Sequence, residues 1–164
     1  MVGSLDTGNA TILTSSDGSS WDNRTSGTAS FLSGVVYGNS TFVAVGDGGI
    51  ILTSSDGSSW DNRTSATPCS WRSSCKWLSG VAYNGNKSFV AVGHSGMILT
   101  SPDGITWTEQ ISGTSNNLAE VVYENGSFLA VGYSGTILTS PDGATWTERD
   151  SGISNYLSGV TFSR

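Results

Sequence analysis

Short apolar runs alternate with clusters of Gly, Ser, Asp and Asn along the whole chain, and they return in a fixed order. An LSGVVY-like run occupies 32–37, 78–83, 118–123 and 157–162, and FVAVG or FLAVG occupies 42–46, 89–93 and 128–132. ILTS opens at Ile12, Ile51, Ile98 and Ile137, each time leading through Asp-Gly to a tryptophan: Trp21, Trp60, Trp107 or Trp146. The isoleucines are 39, 47 and 39 residues apart, and the return from Ile137 through the two termini to Ile12 is again 39. A repeat of about 40 residues holding four such runs predicts four short antiparallel strands, here a (LSGVVY), b (FVAVG), c (ILTS) and d (from each tryptophan). Runs such as FVAV are apolar at both parities rather than alternating, which predicts a sheet covered on both faces. No segment has the length and 3.6-residue period of a core helix.

Four-stranded units stacked face to face are the blades of a β-propeller. The chain therefore reads as an all-β propeller of four four-stranded antiparallel blades in a single domain, 1–164. The blade units are about 157–164 plus 1–31, 32–77, 78–117 and 118–156. Strand a of the first unit comes from the C-terminus and its other strands from residues near 2–26, so pairing of N- and C-terminal strands closes the ring. A monomeric ring is the first reading and an eight-bladed ring of two chains the alternative. Gly-x-x-Gly between b and c and Asp-Gly between c and d supply turns that tolerate positive φ.

With 22 glycines, 3 prolines and 12% charged residues in 164, the chain is neither a linker nor a disordered tail, and 36% hydrophobic residues are too few for a large helical core. No run approaches the roughly 18 apolar residues of a membrane helix, and the opening MVGSLDTG lacks the basic and apolar regions of a signal peptide, so no membrane insertion is expected. A net charge of −6, with seven scattered Lys and Arg, opposes a phosphate backbone and excludes nucleic acid as a partner.

Each c–d turn carries the same quartet: Ser15, Asp17, Gly18, Trp21; Ser54, Asp56, Gly57, Trp60; Ser101, Asp103, Gly104, Trp107; Ser140, Asp142, Gly143, Trp146. The quartet resembles the Asp-box of bacterial neuraminidase repeats. With the preceding AVGxxGxIL, the unit is similar to the propeller repeats related to photosystem II assembly factors. Aspartate and tryptophan stand one residue closer here than in the family's box. The resemblance implies a β-propeller and no particular activity, because hydrolases, lectins and assembly platforms share that fold.

The four aspartates are read as turn caps and the four tryptophans as packing between blades. No catalytic residue, metal or cofactor is expected. His94 is the one histidine and adjoins no nucleophile or carboxylate motif, and Arg24, Arg63 and Arg149 share one phase of strand d instead of clustering. Glu120, standing where sister strands have Gly34, Gly80 and Gly159, is read as a solvated charge at the rim of a central tunnel. The Asn-x-Ser/Thr triplets at Asn9, Asn23, Asn39, Asn62, Asn86 and Asn125 are uninformative in a chain so rich in Ser and Thr.

The long repeat owes its extra residues to one d–a connection, Thr67 to Trp77, which holds both cysteines. Cys69 and Cys75 predict a disulfide and an oxidising location, which is extracellular, periplasmic or at the cell surface. Two thiolates and a distant histidine are too few for zinc. Trp71, Arg72 and Trp77 are residue types favoured at binding hot spots. The d–a and b–c connections of a propeller share a face, so the insertion joins Asp47, His94 and Tyr133 of the b–c loops, together with Asn116, Asn117 and Tyr156. This face differs from blade to blade, whereas the Asp-Gly face is nearly constant. The functional expectation is a non-catalytic recognition module, lectin-like or adhesive, whose aromatic planes cover the C–H faces of a glycan. A protein–protein assembly scaffold of the photosystem II assembly factor-like type is the alternative, and a neuraminidase-like glycosidase is a distant third.

Overall fold

The computed structural model describes residues 2–4, 10–63, 77–86 and 88–162. Apart from three short 3-10 turns, its regular structure is β. β1 (Val2–Ser4), β2 (Ala10–Thr14) and β3 (Asp22–Thr25) form a three-stranded sheet. Three four-stranded sheets follow in chain order: β4 (Leu32–Gly38), β5 (Thr41–Gly46), β6 (Ile51–Ser54) and β7 (Asp61–Asn62); β8 (Leu78–Tyr83), β9 (Phe89–Gly93), β10 (Ile98–Ser101) and β11 (Thr108–Gln110); β12 (Leu118–Glu124), β13 (Ser127–Gly132), β14 (Ile137–Ser140) and β15 (Thr147–Arg149). Every ladder is antiparallel and joins neighbours in sequence. The hairpins close on tight turns: Asn39 and Ser40, and again Asn125 and Gly126, all have positive φ, the two-residue geometry that matches strand twist.

Apolar side chains at both parities of strand b pack both sides of the sheet. Ala44 joins Ala10, Ile12, Leu32 and Leu52 in a core between the first and second sheets. Its neighbours Val43 and Val45 point the other way, into a core with Leu78, Phe89, Leu99 and Trp107 of the third sheet. Val90 and Val92 repeat the pattern against Leu118, Phe128 and Leu138 of the fourth. The hydrophobic core is thus three layers between stacked sheets.

The inner strands lean on one another at glycine. A Cβ on Gly34 would touch the Gly80 backbone at 3.4 Å, and one on Gly80 would touch the Glu120 backbone at 3.4 Å. A bulge between Leu32 and Gly34, Leu78 and Gly80, and Leu118 and Glu120 marks this crossing in each four-stranded sheet.

The termini differ from expectation. Val2 pairs with Ile12 as Val45 pairs with Ile51, so of the FVAVG run only a final Val-Gly is present in β1. Residues 157–162 carry the inner-strand sequence but join no ladder; they lie beside β12, where the Leu157 N–H donates to the Gly132 carbonyl and the Val160 N–H to a Glu120 carboxylate oxygen, at 3.0 and 2.7 Å. Among the described residues, no ladder joins the N- and C-terminal segments. Glu120 is half-buried and lines, with Ser33, Gly34, Ser79, Gly80 and Ser158, a cavity of about 220 Å³ between the inner strands, where its carboxylate also accepts the Val160 N–H.

Candidate functional site

The c–d turns are built by their own side chains. In each, the serine hydroxyl accepts the N–H of the glycine three residues on, at 2.7–2.8 Å, and donates to the aspartate. One oxygen of that aspartate then accepts two successive N–H groups, those of Ser19 and Ser20 in the first turn, at 2.7 and 2.8 Å. These donors hold the carboxyls of Asp17, Asp56 and Asp142 below the usual 3.8; burial pushes Asp103 up, but its N–H donors Thr106 and Ile105 outweigh that and it too lies low. The indole N–H groups of Trp60, Trp107 and Trp146 donate to the carbonyls of Gly57, Gly104 and Gly143. In the last three turns the serine hydroxyl, one aspartate oxygen and the indole N–H are all engaged by the turn itself.

At the opposite end the turns are built by backbone. Strand b ends in Gly46, Gly93 or Gly132, and a 3-10 turn follows: Asp47–Gly49, His94–Gly96, Tyr133–Gly135. The incoming d–a chain crosses directly over each of these glycines, where a Cβ would collide with the carbonyl oxygen of Phe31, Trp77 or Asn117. That same carbonyl accepts the next N–H: Asp47 to Phe31 at 2.8 Å, His94 to Trp77 at 2.9 Å, Tyr133 to Asn117 at 2.9 Å. The glycine that opens each turn brings no side-chain cap, and in the second turn the Asn117 side chain of the next connection accepts the Ser95 N–H. Each blade therefore presents two adjacent side chains, one from the b–c loop and one from the d–a connection, whose identities the turn does not dictate.

The pairs this brings together are Asp47 with Phe31, and Trp77 with His94, whose rings lie 5.0 Å apart. Tyr133 meets Tyr156 from the next connection, with ring centroids at 4.3 Å. Phe31, Trp77, Tyr133 and Tyr156 are each about half exposed, at 45, 46, 48 and 51%. Burial raises the Asp47 carboxyl above its usual value, partly offset by the charge of His94 on the neighbouring blade. Two further expected contact residues make hydrogen bonds to neighbouring loops: the Asn117 amide oxygen accepts the Ser95 N–H at 2.8 Å, and the Asn116 amide donates to Thr136 at 2.9 Å. Phe31 stands at the same position before an inner-strand leucine as Trp77 and Tyr156. Trp71, Arg72, Cys69 and Cys75 lie outside the described residues.

The strand-d cations are engaged by the sheet. Arg24, Arg63 and Arg149 each donate through Nε to a strand-c threonine, Thr14, Thr53 or Thr139, at 2.9–3.0 Å, and Gln110 does the same to Thr100 at 2.8 Å. They form four separate rungs, one per sheet. Among the described residues, no group of three or more His, Cys, Asp or Glu stands close enough to hold a metal ion.

Against known proteins, this architecture finds its counterparts in structure and not in sequence. No protein-family model matches the chain. No curated protein matches it either. Among solved structures it is similar to YCF48 from Cyanidioschyzon merolae, with a TM-score of 0.60 and 21% identity over 73% of this chain and 39% of that one. It is also similar to YCF48 bound to D1 peptide, at TM-score 0.59 and 19% identity over 73% and 40% of the two chains. The WD40 β-propeller domain of Doa1 aligns at TM-score 0.56 and 16% identity over 76% and 43%. The fold is that of stacked propeller blades. The chain spans about two fifths of the length of these structures.

Proposed function

We propose that the face carrying Phe31, Asp47, Trp77, His94, Tyr133 and Tyr156 is a non-catalytic peptide-recognition surface, and that the protein works as an assembly platform. The observation that carries this reading is the backbone-built turn, which frees two side chains per blade for contact and half-exposes four large aromatics on one face. Anchors of this type dominate protein–peptide recognition. One of the compared structures holds a peptide, which supports a protein partner over the glycan expected from composition. The packing of Trp77 against His94 and of Tyr133 against Tyr156 also takes up part of the ring surface that a sugar would cover. With a net charge of −6 and Asp47 among the aromatics, the preferred segment carries apolar and basic side chains.

The reading includes two further elements. Residues 157–162 supply the inner strand that the β1–β3 sheet lacks, which closes a ring. A Cys69–Cys75 disulfide staples the insertion beside Trp77 and places the protein in an oxidising compartment; intact mass of unreduced protein tests it, with two free thiols as the overturning result.

A peptide array, followed by titration of its best binder and a parallel glycan array, tests the function. The expected result is saturable peptide binding weakened tenfold or more by Trp77→Ala or Tyr133→Ala, with unchanged circular dichroism. Glycan binding without peptide binding would restore the lectin reading, and glycoside turnover would overturn both.

A further inference from the structure

The cavity between the inner strands is lined mainly by polar groups. β4, β8, β12 and residues 157–162 each give it one oxygen-bearing side chain: Ser33, Ser79, Glu120 and Ser158. Serine follows the leading leucine in three of the four runs, and Ala119 takes that place in β12. The strand that lacks the hydroxyl is the one that carries the carboxylate, at a position where its sisters have glycine. Glycine also leaves the carboxylate its place, because a Cβ on Gly159 would come within 3.3 Å of it.

The lining is rich in acceptors and carries one negative charge. Among the described residues, one Glu120 carboxylate oxygen accepts the Val160 N–H and the other accepts no hydrogen bond. The single Ser33 hydroxyl proton goes to the carbonyls of Leu78 and Val45, so toward the cavity that oxygen can only accept. No lysine, arginine or histidine is among the lining residues to neutralise the carboxylate. One carboxylate falls far short of the roughly six to eight oxygens that Ca²⁺ takes. A primary ammonium asks for less: it is a compact charge with three N–H donors, which a carboxylate oxygen and two hydroxyls can satisfy.

The cavity lies at the end of the inner strands that faces the variable loops. Its lining residues are the second to fourth of their runs, counted from Leu32, Leu78, Leu118 and Leu157. Phe31, Trp77 and Tyr156, each about half exposed, stand immediately before three of those leucines. Ser33, Ser79 and Ser158 follow two positions later, no more than about 7 Å along the chain. We infer that this cavity binds a primary ammonium group and that, resting here on the peptide reading, it is the pocket for a lysine side chain of the bound segment. The ammonium pairs with Glu120 and the serine hydroxyls, while the aliphatic stem passes among the aromatic side chains beside the entrance.

Butylammonium chloride, the head and stem of lysine alone, tests the cavity without any peptide. Titrated into isotope-labelled protein, it should shift the amide resonances of Gly80, Glu120 and Val160 saturably, and butanol should not. Glu120→Gln keeps an oxygen for the Val160 N–H and removes the charge, so it should stay folded and lose these shifts. Equal shifts with butanol or with potassium chloride, or shifts that survive in Glu120→Gln, overturn the inference. For the lysine, acetylating that residue in the best array peptide should weaken binding to wild type about tenfold, and to Glu120→Gln by less than about twofold. Equal losses in both proteins overturn the lysine assignment. Butylammonium binding without any peptide binding would sink the peptide reading and leave the ammonium site standing. Peptide binding without butylammonium shifts would do the reverse.

Discussion

The two ends of each sheet solve the same problem, reversing a strand, by opposite means. On the Asp-Gly side, the serine, aspartate and tryptophan side chains make the hydrogen bonds that hold the turn, so a change of side chain is a change of turn. On the side of the 3-10 loops, the bonds run from backbone to backbone and across to the d–a chain, so the side chains at 47, 94 and 133 can differ as widely as Asp, His and Tyr. Diversity collects where the backbone alone is sufficient. The sequence-invariant end is a structural device, and the variable end is where recognition can be written.

Substitutions should divide along the same line. The largest loss is expected for Trp107→Ala, which empties the core between the second and third sheets at a cost of roughly 3–5 kcal/mol, read as a fall in the urea midpoint. Gly93→Ala comes next: its Cβ meets the Trp77 carbonyl and forces the crossing chain away, for about 1–3 kcal/mol, and it should also disturb binding by separating His94 from Trp77. Ser101→Ala leaves buried turn donors without an acceptor and should cost about 1–2 kcal/mol. On the variable face, Trp77→Ala should change stability by no more than about 0.5 kcal/mol while binding falls; a loss like that of Trp107→Ala would erase the distinction.

The smallest effect separates the faces by pH. The turn aspartates have folded pKa values below 3.8, so between those values and 3.8 the unfolded chain binds more protons. Their stabilisation is complete above 3.8 and is lost as pH falls through the folded values. Asp47 is shifted the other way; in the window from 3.8 up to its folded value the folded chain holds more protons, and stability declines slightly as pH rises. Melting curves of wild type and Asp47→Asn should differ above 3.8 and lie parallel below it. Parallel curves throughout would show that Asp47 is not desolvated.

The strands were legible because their signals are local and repeated. An apolar run at both parities has one structural meaning when Asp-Gly or Gly-x-x-Gly bounds it, and the FVAV strands place alternate residues in two different cores as that pattern requires. The loop pairs were legible in part: Trp77 meets His94 and Tyr133 meets Tyr156 because topology puts the b–c and d–a loops on one side. A side-chain amide serves equally well toward a ligand or a neighbouring loop, and only geometry reveals that Asn117 reaches Ser95 across the blade boundary. Ring closure was read from spacing, and among the described residues no ladder joins the two terminal segments. The fate of Glu120 depended on where 157–162 lies, which no pattern within its own strand encodes.

The two-sided strand b also bears on how the protein comes apart. A sheet with side chains locked into both neighbours has no surface along which it can leave by itself, so each four-stranded unit opens only after an adjoining one has loosened. Opening should begin at the outermost sheets and travel inward. Amide exchange would record this as a gradient, slowest at Val43, Ala91 and Val92, which are fully enclosed between neighbours, and fastest toward β1 and Leu157. Slow exchange in a blade is then a property of its position in the row, and near-identical repeats will keep different time.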